Sequence, residues 1–200
     1  MTKEQRTALL RAVRDEVCEL KTSPLCQERV RNGVYPVIGE GEHDAKIMFV
    51  GEAPGRTEAA TGRPFCGQAG KILEGLLASI GLRRQEVYIT NIVKDRPPFN
   101  RDPLPEEIAL YGPFLDRQID IIQPQAIVTL GRYAMYYIMK KFGCADQPPL
   151  ISAVHGKTFP AQASYGPMTI VPLYHPAVAI YAATQKETLI KDFEVLKNWL

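Results

Sequence analysis

The chain alternates between short apolar runs and longer stretches in which apolar residues recur at helical spacing. The short runs are rich in strand-forming residues, which is typical of buried strands. They predict strands over residues 46–50, 86–93, 126–130 and 168–173. The longer stretches predict helices over residues 4–20, 68–80, 105–122, 131–142 and 184–200.

Strands that alternate with helices indicate a parallel sheet with helices on both faces. We therefore predict an α/β fold, a three-layer α/β/α sandwich with a central, mainly parallel four-stranded sheet. Residues 1–200 are expected to form one domain, with the helix over residues 1–20 packed on it. Pro113 is expected to kink or divide its helix. Residues 21–44 are turn-rich and are expected to be an ordered connection.

Composition and charge limit the class of protein. The 200 residues are 46% hydrophobic and 23% charged, which is ordinary for a globular protein, and the formal net charge is only +2. A nucleic acid partner would therefore have to be bound by a local patch. The charged, amphipathic N-terminal segment is unlike a signal peptide, and no run approaches the roughly 20 apolar residues of a membrane span. We expect a cytoplasmic protein with no membrane partner.

Three loops that follow strands carry more polar and aromatic residues than plain connections need. They span residues 51–67, 90–100 and 173–177. The first contains two carboxylates and an aromatic ring, those of Glu52, Glu58 and Phe65. Because the carboxyl ends of parallel strands meet at one edge of a sheet, we expect these loops to converge there on a ligand site.

The motifs in these loops resemble those of a known enzyme family. They are GEAPGRTEAATGRPFCGQAG (51–70), YITNIVKDRPPFNRDPLPEEI (88–108), PQAIVTLGR (124–132), HGKTF (155–159) and PLYHPA (172–177). In this order they resemble the uracil-DNA glycosylases of the thermostable, iron–sulfur type. The resemblance implies a monomeric enzyme of base excision repair that flips uracil out of DNA, hydrolyses its N-glycosidic bond and leaves an abasic site. Uracil-containing DNA is then the partner, and no nucleotide cofactor is needed.

The resemblance gives the central roles to three residues. Asn91 corresponds to the amide that pairs with N3–H and O4 of uracil. Phe65 corresponds to the ring that stacks on the base, and His175 to the catalytic histidine that stabilises O2 of the departing anion. From residue type alone, Asn91 can instead cap a strand end, and Phe65 and His175 can belong to the core. His43 and His155 are weaker candidates than His175.

Ala53 stands where a related branch of the family has a water-directing aspartate. It implies a mechanism that depends on leaving-group stabilisation, with backbone N–H groups of its loop contributing. Glu52, which precedes it, is implied as a pocket support or water contact in the catalytic site, although it can also be a plain loop carboxylate.

Four further positions are implied to form the substrate pocket. Glu58 is expected to lie against the C5 edge of uracil, where its bulk would exclude the methyl group of thymine. Asn100 is expected to support the pocket or contact water. Gly51 and Gly55 correspond to substrate-binding positions in the loop after the first strand.

Cations in the two loops that flank the pocket are implied to contact the DNA backbone, since guanidinium groups suit phosphate. They are Arg56, Arg63, Lys94, Arg96 and Arg101. Each one alone can equally be a solvated surface charge, and the cluster is the better support. The apolar segment over residues 178–181 would supply a wedge for the gap left by a flipped base, although the arginine that follows in many relatives is absent.

The iron–sulfur relatives hold a four-iron cluster through four thiolates. The resemblance places those ligands at Leu20, Ser23, Asp95 and Tyr111, none of which is cysteine. We therefore expect no 4Fe–4S cluster and no other metal. Apolar packing by Leu20 and Tyr111 is expected to replace the link that the cluster makes between the N-terminal segment and the proline-rich loop.

The cysteines themselves are displaced from those ligand positions. They are Cys18, Cys26, Cys66 and Cys144. Without a close CxxC pair they suggest neither a zinc ribbon nor a disulfide framework. A rearranged cluster that uses the first two is the alternative.

Two other functions stay open at this point. The first is a glycosylase of the same fold that removes another deaminated base, hypoxanthine or xanthine. The second is a DNA-binding protein that captures uracil or abasic sites without turnover. The amide of Asn91 favours uracil over the purines, whereas Ala53 leaves room for the binding protein.

Overall fold

A six-stranded sheet forms the centre of the structure. The computed structural model describes residues 1–144 and 149–200. Its strands are β1 (Glu40–Gly41), β2 (Ile47–Gly51), β3 (Tyr88–Asn91), β4 (Ala126–Leu130), β5 (Phe159–Ala163) and β6 (Gly166–Leu173). They lie in the order β1-β3-β2-β4-β6-β5. The central strands β3, β2, β4 and β6 run parallel, and the edge strands β1 and β5 pair antiparallel with their neighbours.

The four predicted strands form the parallel centre of this sheet, which confirms the α/β fold, but the two edge strands were not predicted. β1 spans only two residues. β5 alternates between partly buried and exposed positions and contains Pro160. Neither has the continuous apolar run of a strand that is covered on both faces, and that run was the signal for the other four.

Helices cover both faces of the sheet. They are α1 (Lys3–Cys18), α2 (Pro24–Arg31), α3 (Arg56–Thr61), α4 (Gln68–Ser79), α5 (Pro105–Ile122), α6 (Arg132–Lys141), α7 (Ile151–Val154), α8 (Val178–Tyr181) and α9 (Ala183–Phe193). α1, α5 and α6 pack on the face that carries Met48 and Ile127. α4 and α9 pack on the other face, against Phe49 and Val128, which gives the predicted three layers. Within the described residues, no helix has both the length and the apolar character that a membrane span requires.

The structure corrects three helical predictions. α5 is not divided at Pro113 but continues through it as one helix of 18 residues. Pro113 and Ala109, whose carbonyl loses its helical partner, are both exposed, so water can satisfy that group. The turn-rich connection contains α2, whose start is marked by Ser23 as N-cap and by Pro24. The C-terminal helix changes to a 3₁₀ helix over Glu194–Trp199.

Candidate active site

A cavity of about 560 Å³ opens at the carboxyl edge of the parallel strands. Its walls come from the loops after β2, β3 and β6, as the sequence predicts. Asn91, Phe65 and His175 all line it. Of the other predicted site residues, the cavity is also lined by Glu52, Ala53, Gly55, Glu58, Asn100 and Arg101. One cavity therefore collects most of the chemistry that the sequence singles out.

The side-chain amide of Asn91 is buried at the end of β3, opposite Gly51 of β2. Its Oδ1 makes no hydrogen bond within the protein. A Cβ atom at Gly51 would lie 2.6 Å from Cζ of Phe65 and closer still to Oδ1 of Asn91, so only glycine allows this approach. A buried polar atom without a partner costs about 1–3 kcal/mol. The protein therefore leaves Oδ1 of Asn91 available to accept a hydrogen bond from a ligand.

The ring of Phe65 forms an apolar wall beside this amide. Phe65 is only 5% exposed and has a left-handed backbone conformation, with φ of 46°. Its carbonyl accepts a 2.9 Å hydrogen bond from Nη1 of Arg84. The same carbonyl packs so closely on Gly70 of α4 that a side chain there would collide with it. These contacts hold a strained conformation of the kind that is concentrated at functional sites.

His175 follows β6 and faces Phe65, with the two ring centroids 5.6 Å apart. The main-chain N–H of Ala177 donates to Nδ1 of His175 over 3.2 Å. Burial lowers the pKa of His175 to about 4, although the nearby Glu58 acts in the opposite direction. Nδ1 is therefore an acceptor in a neutral ring, and the proton resides on Nε2. The histidine can offer this N–H to a ligand at neutral pH.

Two carboxylates of the first loop have different surroundings. Oε1 of Glu58 accepts hydrogen bonds from the main-chain N–H groups of Cys66 (3.0 Å) and Gly67 (2.8 Å), so this side chain braces the loop around Phe65. Burial raises the pKa of Glu52 to about 7, and the neighbouring Asp102 raises it further against the charge of Arg132. Glu52 therefore titrates near neutrality.

Asp102 and Arg132 were not identified from the sequence. Asp102 lines the cavity, and its Oδ2 accepts hydrogen bonds from Nη2 of Arg132 (2.9 Å) and from the hydroxyl of Tyr133 (2.7 Å). The motif RPPFNRDP contains the aspartate, but the arginine lies at the start of α6, thirty residues further along the chain. Only the fold brings this pair beside Glu52.

Comparison with known proteins identifies the family of this chain. A family model described as the uracil DNA glycosylase superfamily matches residues 38–197. This chain belongs to the uracil-DNA glycosylase superfamily. It is 44% identical over 190 residues to a type-4 uracil-DNA glycosylase of Sulfurisphaera tokodaii, which covers 94% of this chain and 84% of the relative. Similar type-4 enzymes come from Archaeoglobus fulgidus (46% identity; 79% of this chain and 78% of the relative) and Thermotoga maritima (38%; 98% and 96%).

Lys94, one of the five cations expected to contact DNA, is not on the surface of this glycosylase. Its side chain is fully buried, and Nζ donates to Asn91 O (2.6 Å), Thr90 Oγ1 (2.8 Å) and Gln118 Oε1 (2.5 Å). Burial lowers the pKa of Lys94 well below its usual range. The expectation of a phosphate contact at Lys94 is therefore wrong. Instead, Lys94 fixes the main chain of Asn91.

The four arginines of that group lie at or near the surface. Arg63 forms an ion pair with Glu40, and Arg101 forms one with Glu107 while lining the cavity. Arg56 and Arg96 line a second cavity of about 260 Å³ beside the first. Nε of Arg96 also donates a 2.6 Å hydrogen bond to Oδ1 of Asn100.

The other two histidines lie outside the pocket of this superfamily member. Nδ1 of His43 lies 2.6 Å from the hydroxyl of Thr7, and Nδ1 of His155 lies 2.7 Å from Oδ2 of Asp192. Neither ring lines the cavity. The segment Val178–Tyr181 forms α8 just after the His175 loop, and the side chain of Tyr181 lies outside the described residues.

A hydrogen-bonded network occupies the positions that the resemblance gives to cluster ligands. The Tyr111 hydroxyl donates to Oδ2 of Asp95 over 2.6 Å and lies 2.9 Å from Oγ of Ser23. Nη1 of Arg29 pairs with Oδ1 of Asp95 at 3.3 Å. Leu20 packs against a small apolar cluster that includes the side chain of Tyr111. Within the described residues, no group of three or more His, Cys, Asp or Glu side chains is arranged to hold a metal ion.

Proposed function

We propose that this chain is a uracil-DNA glycosylase that hydrolyses the N-glycosidic bond of uracil in DNA and leaves an abasic site. The observation that carries the proposal is a single cavity in which an unpartnered buried amide, an aromatic wall and a neutral imidazole N–H meet. Relatives that are 38–46% identical over most of the chain are named type-4 uracil-DNA glycosylases. DNA is the partner, and the enzyme acts as a monomer in the cytoplasm without a nucleotide cofactor.

Recognition of the base uses the two atoms of the Asn91 amide. A uracil flipped out of the DNA offers a donor at N3 and an acceptor at O4. Oδ1 of Asn91, which has no protein partner, accepts from N3–H, while Nδ2 donates to O4. Phe65 then covers one face of the base. Glu58, which braces the loop around Phe65, is proposed to lie at the C5 edge of uracil and to exclude the methyl group of thymine by its bulk.

Bond cleavage uses the proton that the protein holds on Nε2 of His175. As the bond between N1 and C1′ breaks, its electron pair goes to uracil and charge develops on O2. The Nε2–H of His175 donates a hydrogen bond to O2, aided by backbone N–H groups of the loop at Ala53 and Gly55. Water forms the new bond to C1′. Glu52, with a pKa of about 7, orients this water and accepts its proton, since Ala53 has no group to do so.

We also propose that the enzyme folds and acts without a 4Fe–4S cluster. Iron–sulfur clusters are held by thiolates, whereas the ligand positions are an alkyl group, a hydroxyl, a carboxylate and a phenol. The polar atoms of the last three already bond to one another or to Arg29. Iron analysis and the absorbance spectrum of aerobically and anaerobically purified protein test this. Stoichiometric iron with a charge-transfer band would overturn it.

A glycosylase assay tests the proposed activity. Purified protein is incubated with oligonucleotides that carry uracil, hypoxanthine or thymine, and the products are treated with alkali to cleave abasic sites. We expect scission at uracil in wild-type protein and in His43→Asn, a matched histidine control outside the cavity, but not in His175→Ala. Scission confined to hypoxanthine would indicate a different base. Tight binding of uracil DNA without scission would indicate a capture protein.

A further inference from the structure

Phe99 is more exposed than any other large apolar side chain in the described part of the molecule. It is 98% accessible and lies at the tip of the proline-rich loop after β3. Asn100, its neighbour, lines the large cavity, while Phe99 itself lines the smaller one. A fully exposed aromatic ring at the boundary of two cavities is unusual on a protein surface and indicates a contact made with a partner.

The backbone presents this ring in a fixed direction. Phe99 and Asn100 both have left-handed conformations, each with φ of 56°, which non-glycine residues rarely adopt. The N–H of Asn100 donates to the carbonyl of Pro97 (3.1 Å), and the N–H of Arg101 donates to that of Pro98 (3.1 Å). The hydrogen bond between Arg96 and Asn100 closes the turn. The loop therefore keeps the ring pointed outward, although nothing in the protein packs on it.

Positive charge surrounds the ring on the side of the second cavity. Arg29, Arg56 and Arg96 line that cavity, against one carboxylate, that of Glu28. Arg29 is engaged by Asp95, which leaves Arg56 and Arg96 to face an incoming anion. Guanidinium groups beside an exposed aromatic ring match the chemistry of a nucleic acid strand, in which phosphates alternate with flat bases.

We propose that Phe99 stacks on the base next to the flipped nucleotide, while Arg56 and Arg96 hold the adjoining phosphates. The inference rests on the proposed function, because it takes the large cavity as the place of the flipped base. Phe99 then fixes the position of the strand outside the pocket and contributes to the affinity for DNA, but it makes no contact with the excised base.

Variants of the full chain test this contact. Phe99→Ala, Phe99→Trp and the matched control Leu150→Ala, an exposed apolar residue (71%) that lines neither cavity, are compared with wild type. The Kd is measured by fluorescence anisotropy for a single-stranded oligonucleotide with a stable abasic-site analogue. We expect Phe99→Ala to weaken binding about 5- to 150-fold, with Phe99→Trp and Leu150→Ala close to wild type. Inhibition by free uracil should be unchanged in all three.

Two further measurements locate the contact. A 2-aminopurine base beside the abasic analogue should change its fluorescence on binding to wild type and Phe99→Trp, but not on binding to Phe99→Ala. The double variant Arg56→Gln/Arg96→Gln should reduce the slope of log Kd against log salt by about 1–2. Equal affinity of Phe99→Ala and Leu150→Ala for the oligonucleotide would overturn the inference. A change in 2-aminopurine fluorescence that persists with Phe99→Ala would overturn it as well.

The two proposals fail in different ways. If wild-type protein removes no uracil, the proposed function fails, whatever Phe99 does to the affinity. If wild-type protein removes uracil and Phe99→Ala binds and cleaves as well as Leu150→Ala, only the stacking contact fails.

Discussion

The main-chain N–H of Ala177 donates a hydrogen bond to Nδ1 of His175 across 3.2 Å, and this single contact determines which nitrogen of the ring keeps its proton. Replacing His175 by Phe keeps a flat ring beside Phe65 but removes the donor for the departing anion. We expect kcat on uracil DNA to fall about 10²–10³-fold, as for loss of one oxyanion donor. Single-turnover kinetics measure the effect, and His43→Asn serves as control. An unchanged kcat would contradict the role of His175.

The low pKa of His175 predicts how pH acts on the fold. The folded protein binds this proton less readily than the unfolded chain, since burial lowers the pKa from its ordinary 6.5 to about 4. The stabilisation is therefore fully present above pH 6.5 and is lost as the pH falls through 4. As the pH falls from 6.5 to 4, the melting temperature of His175→Phe should therefore fall less than that of wild type. Parallel plots of melting temperature against pH would mean that burial does not lower the pKa of His175.

Replacing Asn91 by Leu should separate activity from stability. The variant removes a buried Oδ1 that has no partner in the protein. We expect kcat/KM on uracil DNA to fall at least about 10²-fold, while the melting temperature stays the same or rises. Thermal melting and the glycosylase assay on one preparation provide the comparison. A large fall in the melting temperature would show that Asn91 serves the fold and not the ligand.

Replacing Lys94 by Met should act through the fold and the base-reading amide, not through DNA charge. Without Nζ, the carbonyl of Asn91 and Oε1 of Gln118 lose a buried donor, and each such loss costs about 1–3 kcal/mol. We expect a melting temperature lower by about 2–4 °C for each kcal/mol and a reduced kcat/KM. The salt dependence of DNA binding should stay that of wild type, in contrast to Arg56→Gln. A reduced salt slope in Lys94→Met would restore Lys94 as a phosphate ligand.

Replacing Glu52 by Gln should change the response to pH. The raised pKa means that folding favours the neutral carboxyl, so its stabilisation is present below pH 4.5 and is lost as the pH rises through about 7. Because the group is partly solvated, the effect is small. We expect the difference in melting temperature between Glu52→Gln and wild type to shift in favour of the variant by only about 2–4 °C as the pH rises from 4.5 to 7. In wild type, kcat/KM should rise as Glu52 ionises near pH 7, and this inflection should be absent from Glu52→Gln.

Replacing Tyr111 by Phe tests the network at the positions that the resemblance gives to cluster ligands. The change keeps the apolar packing but takes a partner from Asp95 and Ser23. We expect a loss of about 1–3 kcal/mol in the free energy of unfolding, measured by urea denaturation, with inhibition by free uracil unchanged. Tyr35→Phe, on the exposed surface, is the matched control. If both variants unfold alike, the hydroxyl contributes nothing and apolar packing alone joins the segments.

The sequence predicts the parts of this molecule whose signals are local. β4 begins and ends where the run AIVTL does, because a strand buried on both faces is made almost entirely of apolar residues. Asn91 is the last residue of a strand, and Phe65 and His175 lie in loops that follow strands, so the rule that such strand ends meet at one edge predicts that the three come together. β5 and the pair formed by Asp102 and Arg132 lacked such signals, since they depend on contacts between distant segments.

Lys94 shows where a residue type misleads. A lysine in a polar loop that also carries two arginines predicts a surface charge, yet the fold turns its side chain inward to three oxygen acceptors. The polar network at Tyr111 was missed for a related reason. Apolar packing was expected there, and Tyr111 does lie in an apolar cluster with Val17 and Leu25, but its hydroxyl required partners that only the tertiary structure reveals.

The contact of Asp95 with Arg29 and Tyr111 consists entirely of ordinary amino-acid side chains. It assembles as the chain folds, requires no iron delivery or sulfide, and offers molecular oxygen nothing to attack. Its weakness is of a different kind. Burial raises the pKa of the Asp95 carboxyl against the hydrogen bond from Tyr111 and the charge of Arg29. Folding therefore favours the protonated carboxyl, so a rise in pH through that raised pKa, and not oxidation, is the condition that would weaken the hold of the N-terminal segment on the catalytic loops.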